Sequence, residues 1–149
     1  MATRRDAREW AMQLLFQRDF NPGKMNDALE DFWRGKEIPA EARVFMEELV
    51  NGVTKHHAAI DEKIQFYAEN WDLKRMTAVD RNVMRVALYE ILFRDDVPPV
   101  VSINEAVDLA KQYSGPESGK FVNGILDRVR KDLKRPARTT IRPVGSEGE

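Results

Sequence analysis

Two short stretches hold the residue types that recognise a polyanion: RRDAR at positions 4–8 and SGKFVNG at positions 118–124. Arg4, Arg5 and Arg8 stand at the start of a helical pattern, where the helix macrodipole mildly disfavours positive charge. Three arginines placed against that preference suit an anion-binding role, and Arg makes bidentate contacts to phosphates and base edges that Lys cannot. In the second stretch, a wheel of about 100° per residue gathers Val122, Ile125, Leu126, Val129 and Leu133 on one apolar face. Lys120, Gly124, Asp127 and Lys131 fall opposite, with Phe121 and Asn123 on the flanks. Gly124 therefore sits on the back of a helix, where a Gly costs about 1 kcal/mol relative to Ala and core packing does not explain it. Two explanations stand open. A partner approaches the backbone there, with Phe121 to stack on a base and Lys120 to meet a phosphate, or another helix of the same chain packs across Gly124.

Other chemistry is removed by exclusion. His56 and His57 are adjacent and so about 100° apart on a helix, poor geometry for shared ligation or a proton relay, which leaves them a surface or interhelical role. GPESGKF at 115–121 resembles a phosphate loop only superficially. That motif needs four residues between its glycines and Ser or Thr after the Lys, whereas here three separate Gly115 from Gly119 and Phe121 follows. No pair of carboxylates lies in an apolar setting that would suit acid/base work. The chain has no cysteine, so disulfides, thiolate nucleophiles and nearly all structural zinc sites are absent. An enzyme is not expected, nor is a cofactor or a metal.

The elements that must position these residues read as helices throughout. Ala7, Ala11, Leu14 and Leu15 mark one face of a first helix over about 3–20, stopped by Asn-Pro-Gly at 21–23. Its other face carries Met12 and Phe16 with Arg5 and Glu9, so that Phe16 is either buried against the second half of the chain or free for a partner. A short helix follows, with Asn26 as N-cap and Gly35 at its close. Val44, Phe45, Leu49, Val53, Ile60, Ile64 and Tyr67 then recur at helical spacing in two helices broken between Gly52 and Ala58. Thr77 caps a helix whose stretch from Val83 to Phe93 is almost unbrokenly apolar, the mark of a central element. Beyond Pro98 and Pro99, Ser102 and Glu105 have the spacing of a capping box ahead of Ile103, Ala106, Val107 and Ala110. The last helix covers about 117–133. The expected fold is all-α: about seven helices in two small bundles, about 3–72 and 73–135, meeting at a seam near 72–76, with a disordered basic and polar tail over 136–149.

Composition agrees with that fold class. With 42% hydrophobic and 33% charged residues and a net charge of −1, the composition is that of a globular protein, and 149 residues fit one domain of ordinary size or two small ones sharing a core. There is no apolar run of membrane length and no secretion signal at the N-terminus, so a cytoplasmic protein is expected. Charge is uneven: seven basic residues face only Asp132 between Arg128 and Arg142, whereas seven acidic ones face Arg34, Lys36 and Arg43 between Asp27 and Glu48. Such basic clusters attract phosphate backbones when they are more than solvated surface.

Three blocks, AREWAMQLLFQ at 7–17, VDRNVMRVALYEILFRDDVPPVVSINEAVDLAK at 79–111 and SGKFVNGILD at 118–127, resemble the bacterial NusB antitermination family over nearly the whole chain. The resemblance implies two helical bundles without catalytic activity. It implies binding to single-stranded boxA RNA of ribosomal RNA leader transcripts, pairing with the ribosomal protein NusE, and entry into an RNA polymerase antitermination complex with other Nus factors. By position, RNA contacts fall to Arg4, Arg5, Arg8, Glu117, Lys120, Phe121, Asn123 and Gly124, and NusE contacts to Phe16 and Asp80, with Phe16 standing where Tyr is more usual. Asp6 interrupts a run that is often more basic, and the tail after Leu133 matches no family motif. Two other classes stay open: a protein-interaction scaffold without sequence-specific RNA binding, and an RNA-modifying enzyme, since NusB-like domains occur fused to RNA methyltransferases. The chain is expected to end before any such catalytic domain. A homodimer of the free protein also stays open.

Overall fold

The computed structural model describes residues 3–69, 71–73 and 76–133, so the expected tail at 136–149 lies outside the described residues. These form seven α-helices: α1 (Arg4–Phe20), α2 (Met25–Trp33), α3 (Ala40–Lys55), α4 (His57–Ala68), α5 (Ala78–Phe93), α6 (Pro99–Ser114) and α7 (Pro116–Asp132). Among the described residues there is no strand, and no helix is long and apolar enough to cross a membrane.

Each helix starts and stops for a local reason. Thr3 caps α1 in a full capping box, its hydroxyl accepting from the Asp6 amide while the Asp6 carboxylate accepts from the Thr3 amide at 2.8 Å. The acidic residue that interrupts the basic run thus satisfies the first turn of the helix and sets a negative charge at its positive end. Thr77 caps α5 with one half of that arrangement, its hydroxyl accepting from the Asp80 amide at 3.0 Å. The break between α3 and α4 falls on His56, which ends one helix and begins the next. Its ring lies flat on Phe93, centroids 3.8 Å apart.

α5 is the hub, packed against α1, α3, α4, α6 and α7. Met84, Leu88 and Ile91 are sealed, and one continuous core runs from Ala7 on α1 to Val129 on α7. α4 packs chiefly on α5 and α7, so in space it lies with the helices that follow the expected seam. The hub is not wholly apolar: Asn82, Arg85 and Glu90 are buried in it, each with a charged or polar partner. Arg85 grips Asp61 of α4 with two hydrogen bonds of 2.8 and 2.9 Å and reaches Asp19 of α1 at 3.1 Å. Arg81 and Asn82 also donate to Asp19, both at 2.9 Å, so one carboxylate ties the end of α1 to the start of α5.

That carboxylate gives the fold an acid limb. Burial works against the Asp19 anion, but hydrogen bonds from Asn82 and Arg81 and the charges of Arg85 and Arg81 outweigh it and hold its pKa below the ordinary value. A depressed folded pKa contributes stability that is present above the unfolded value of about 4 and is lost as the pH falls through the folded one. Asp19→Asn is therefore expected to be the less stable protein at pH 7, with the gap closing in urea titrations run progressively below pH about 4.

Four local expectations differ from the structure. α2 begins at Met25 with Lys24 as N-cap, because Met25 packs on the core and draws Asn26 into the helix. α6 begins at Pro99, whose fixed φ and missing N–H suit the first turn, so Ser102 and Glu105 lie within the helix rather than forming a box. Val44 is exposed on α3 although its spacing matches the core positions. Leu133 lies just past the end of α7 and is 41% exposed, not on the core face.

Candidate nucleic-acid and partner interface

Gly115 takes a positive φ of 101°, which turns the chain from α6 into α7, and Pro116 fills the first helical position. The two helices then run closely side by side. The glycine that permits this is Gly119, where an added Cβ would lie 2.7 Å from Lys111 Cγ. Around Gly124 a Cβ would meet nothing within 4 Å, so no helix among the described residues packs there, and only the Arg128 guanidinium of its own helix reaches it, donating to the Gly124 carbonyl at 3.3 Å. The open patch continues through Glu117, Lys120 and Asn123, all exposed, with the Lys120 ammonium 3.7 Å from the Glu117 carboxylate.

Phe121 is half-buried, and its outer edge meets Trp71 with ring centroids 5.7 Å apart at 66°. Trp71 itself is 54% exposed. Sequence reasoning missed it, although an aromatic in the polar run between two helices was a signal. Asp80, expected as a partner contact, is only 6% exposed and accepts a 3.2 Å hydrogen bond from the Ser118 hydroxyl. Burial raises its pKa, against the opposing hydrogen bonds from Ser118 and Thr77. Asp80, Glu117 and Phe121 thus meet at one place, where the start of α5 faces the start of α7. Phe16 is half-buried on the core, its ring tilted against the exposed Phe20 at 5.1 Å.

The arginines divide. Arg4 is exposed, its guanidinium 4.3 Å above the Phe45 ring, and Arg5 is exposed while bonded to Asp108 with Glu105 at 3.8 Å. Arg8 does not reach the surface. It is 5% exposed and forms a fork of 2.9 and 2.8 Å bonds with Glu90, which is fully buried. The reason is its place between Ala7 and Ala11 on the side of α1 that meets α5, where a charge is tolerated only with its counter-charge. The α1 arginines and the α7 patch are not one cluster. Arg8 sits by Glu90 and Ser118 by Asp80, ten residues apart on α5, or about 15 Å along its axis at the helical rise.

The open surroundings of Gly124 make a sharp prediction. Gly124→Ala is expected to stabilise the isolated protein by up to about 1 kcal/mol, since the helix gains propensity and nothing clashes. Thermal unfolding measures this. Weaker binding of a ligand by the same variant would mark close approach of that ligand to the backbone.

Comparison with known proteins places this geometry. The NusB family model matches residues 5–131. A transcription antitermination protein NusB from Trichlorobacter lovleyi is 48% identical over 129 residues, covering 87% of this chain and 91% of that protein. The structure of T. maritima NusB superposes with a TM-score of 0.80 at 38% identity, covering 91% of this chain and 94% of that one. A crystal structure of antitermination factors NusB and NusE in complex with dsRNA contains a chain matching with a TM-score of 0.79 at 27% identity, covering 87% of this chain and 96% of that one. With the family model spanning almost every described residue, the chain belongs to the NusB family.

Proposed function

We propose that this protein is a transcription antitermination factor that binds boxA RNA of ribosomal RNA leader transcripts together with NusE, and helps RNA polymerase avoid premature termination. The observation that carries the reading is the open face of α7. There an exposed cation, Lys120, an exposed amide, Asn123, and the exposed Gly124, against which no described helix packs, adjoin the aromatic pair Phe121 and Trp71. Single-stranded RNA exposes unstacked bases, and rigid aromatics next to cations bind it without a sheet. Arg4 and Arg5 form a second, separate cationic site at the far end of α5, while Arg8 acts as an internal support for α1. Phe16, with Phe20 beside it, provides an apolar surface for NusE, and Asp80, the other NusE contact, lies beside Ser118 at the start of α7. The protein works in the cytoplasm by binding alone, within a complex of polymerase and other Nus factors, and without a cofactor.

The test is RNA binding by the full chain, with and without NusE, to a boxA oligonucleotide and a scrambled one across a salt series. Selective binding that NusE strengthens is expected. Equal binding of both RNAs that vanishes with salt would reduce the reading to basic patches, and NusE binding without RNA affinity would leave a protein-interaction scaffold.

A further inference from the structure

A cavity of about 340 Å³ opens where α7, the start of α5 and the segment after α4 converge. Trp71 and Met76 form one side, Thr77 and Asp80 another, and Ser118 and Phe121 the third. Its size is near the lower end of small-ligand sites, about 300–1,000 Å³, and matches a single nucleoside rather than a helix. Much of the wall is apolar, while its polar groups are mainly hydrogen-bond acceptors: the carboxylates of Asp80 and Glu117, beside the hydroxyls of Thr77 and Ser118. One oxygen of Asp80, Oδ1, is buried without a hydrogen-bond partner among the described residues.

We infer that this cavity receives one unstacked base of the bound RNA, packed against Trp71 and Phe121, and that Asp80 selects a base carrying an exocyclic amino group. The inference rests on the RNA reading above and names a subsite within it. Trp71 and Phe121 meet at 66°, so they form a corner rather than a stack, with a ring face left for a base to cover. Trp71 keeps half its surface in water, an unusual disposition for the largest apolar side chain unless something lies on it. Lys120, next in sequence to Phe121 and exposed, stands where it can meet the phosphate of the same nucleotide. Carboxylates accept from the amino group of cytosine, whereas the O4 of uracil would set acceptor against acceptor. A site with a buried acceptor rejects a base that cannot donate to it, because that acceptor then stays unpaired.

The experiment uses the full chain with saturating NusE, a boxA oligonucleotide and its set of single abasic substitutions, read by fluorescence anisotropy. In the wild type, one position is expected at which removing the base weakens binding about tenfold, the scale of one base–aromatic stack. In Trp71→Ala the same removal should change affinity by less than about twofold, and Trp71→Phe should restore most of the penalty. At that position cytosine or adenine should bind about fivefold better than uracil, and Asp80→Asn, which can both donate and accept, should abolish the preference. Each readout is a ratio within one variant, so a change in overall affinity or NusE pairing cancels. An abasic penalty that persists in Trp71→Ala, or that is spread evenly along the RNA, would overturn the pocket. In that case the RNA reading would still stand if wild type prefers boxA to scrambled RNA. No such preference would sink both.

Discussion

Arg8→Ala is expected to lower the unfolding free energy by about 3–5 kcal/mol, the usual cost of stranding one member of a buried ion pair. Glu90 has no exposure, and its two carboxylate oxygens are both held by Arg8. Removing the guanidinium leaves an anion in the centre of the molecule with only the more distant cations of the surface. Against a total of roughly 5–15 kcal/mol for a typical domain, that is a large share. The pair itself is a different matter. Replacing both partners, as Arg8→Met with Glu90→Leu, should return stability close to wild type, because two charges no longer need desolvating. Urea unfolding of the two single variants and the double gives the coupling directly. A cost under about 1 kcal/mol for Arg8→Ala would mean that the pair behaves like a surface bridge, leaving the arginine free for RNA. The double variant also separates support from contact: it should bind RNA as the wild type does if Arg8 acts only within the fold.

Phe121→Ala is expected to weaken boxA binding by about 1–3 kcal/mol, or roughly fivefold to 150-fold, if the ring stacks on a base. Lys120→Ala should act in another manner, weakening all RNAs alike and reducing the slope of log affinity against log salt by about 0.7, the value for one contact to a single strand. The contrast matters more than either magnitude. Phe121 packs partly on the core and against Trp71, so its truncation also removes internal contacts. Thermal unfolding of Phe121→Ala and binding by Phe121→Tyr, which retains the ring, separate a loosened α7 from a lost stacking surface. If Phe121→Ala binds boxA unchanged while Lys120→Ala weakens it, α7 contributes charge but no base contact.

The helices were legible because their faces repeat. Ala7, Ala11, Leu14 and Leu15 are all buried as their spacing requires, and so are Val122, Ile125, Leu126 and Val129. Leu133 was misread because periodicity says nothing about where a helix stops. Ser102 resembled a cap because the Ser–Glu spacing is right, but Pro99 is a stronger start signal and lies closer to the bend. The positions hardest to read were the charged ones. Arg8 and Arg5 are the same residue type three apart, yet one is sealed and the other exposed, because only Arg8 finds a buried counter-charge 82 residues away. Long-range pairing of that kind leaves no local trace. Gly124 and Gly119 divide similarly: both are helical glycines, but only the neighbouring helix decides which of them permits close approach.

His56 is the whole connection between α3 and α4, and this limits how the chain can change in length. Only Gly115, between α6 and α7, is an equally short joint; the other helices are joined by longer links, such as 34–39, where an added residue is absorbed outside the packed core. At His56 there is no slack. One residue inserted or deleted there would turn α4 by about 100° on its axis, carrying Ile60, Ile64 and Ala68 off the face they now bury. It would also swing the segment that leaves α4, and with it Trp71, away from Phe121. Substitution can tune the Trp71–Phe121 edge of the α7 face, but an insertion or deletion at this joint would dismantle it.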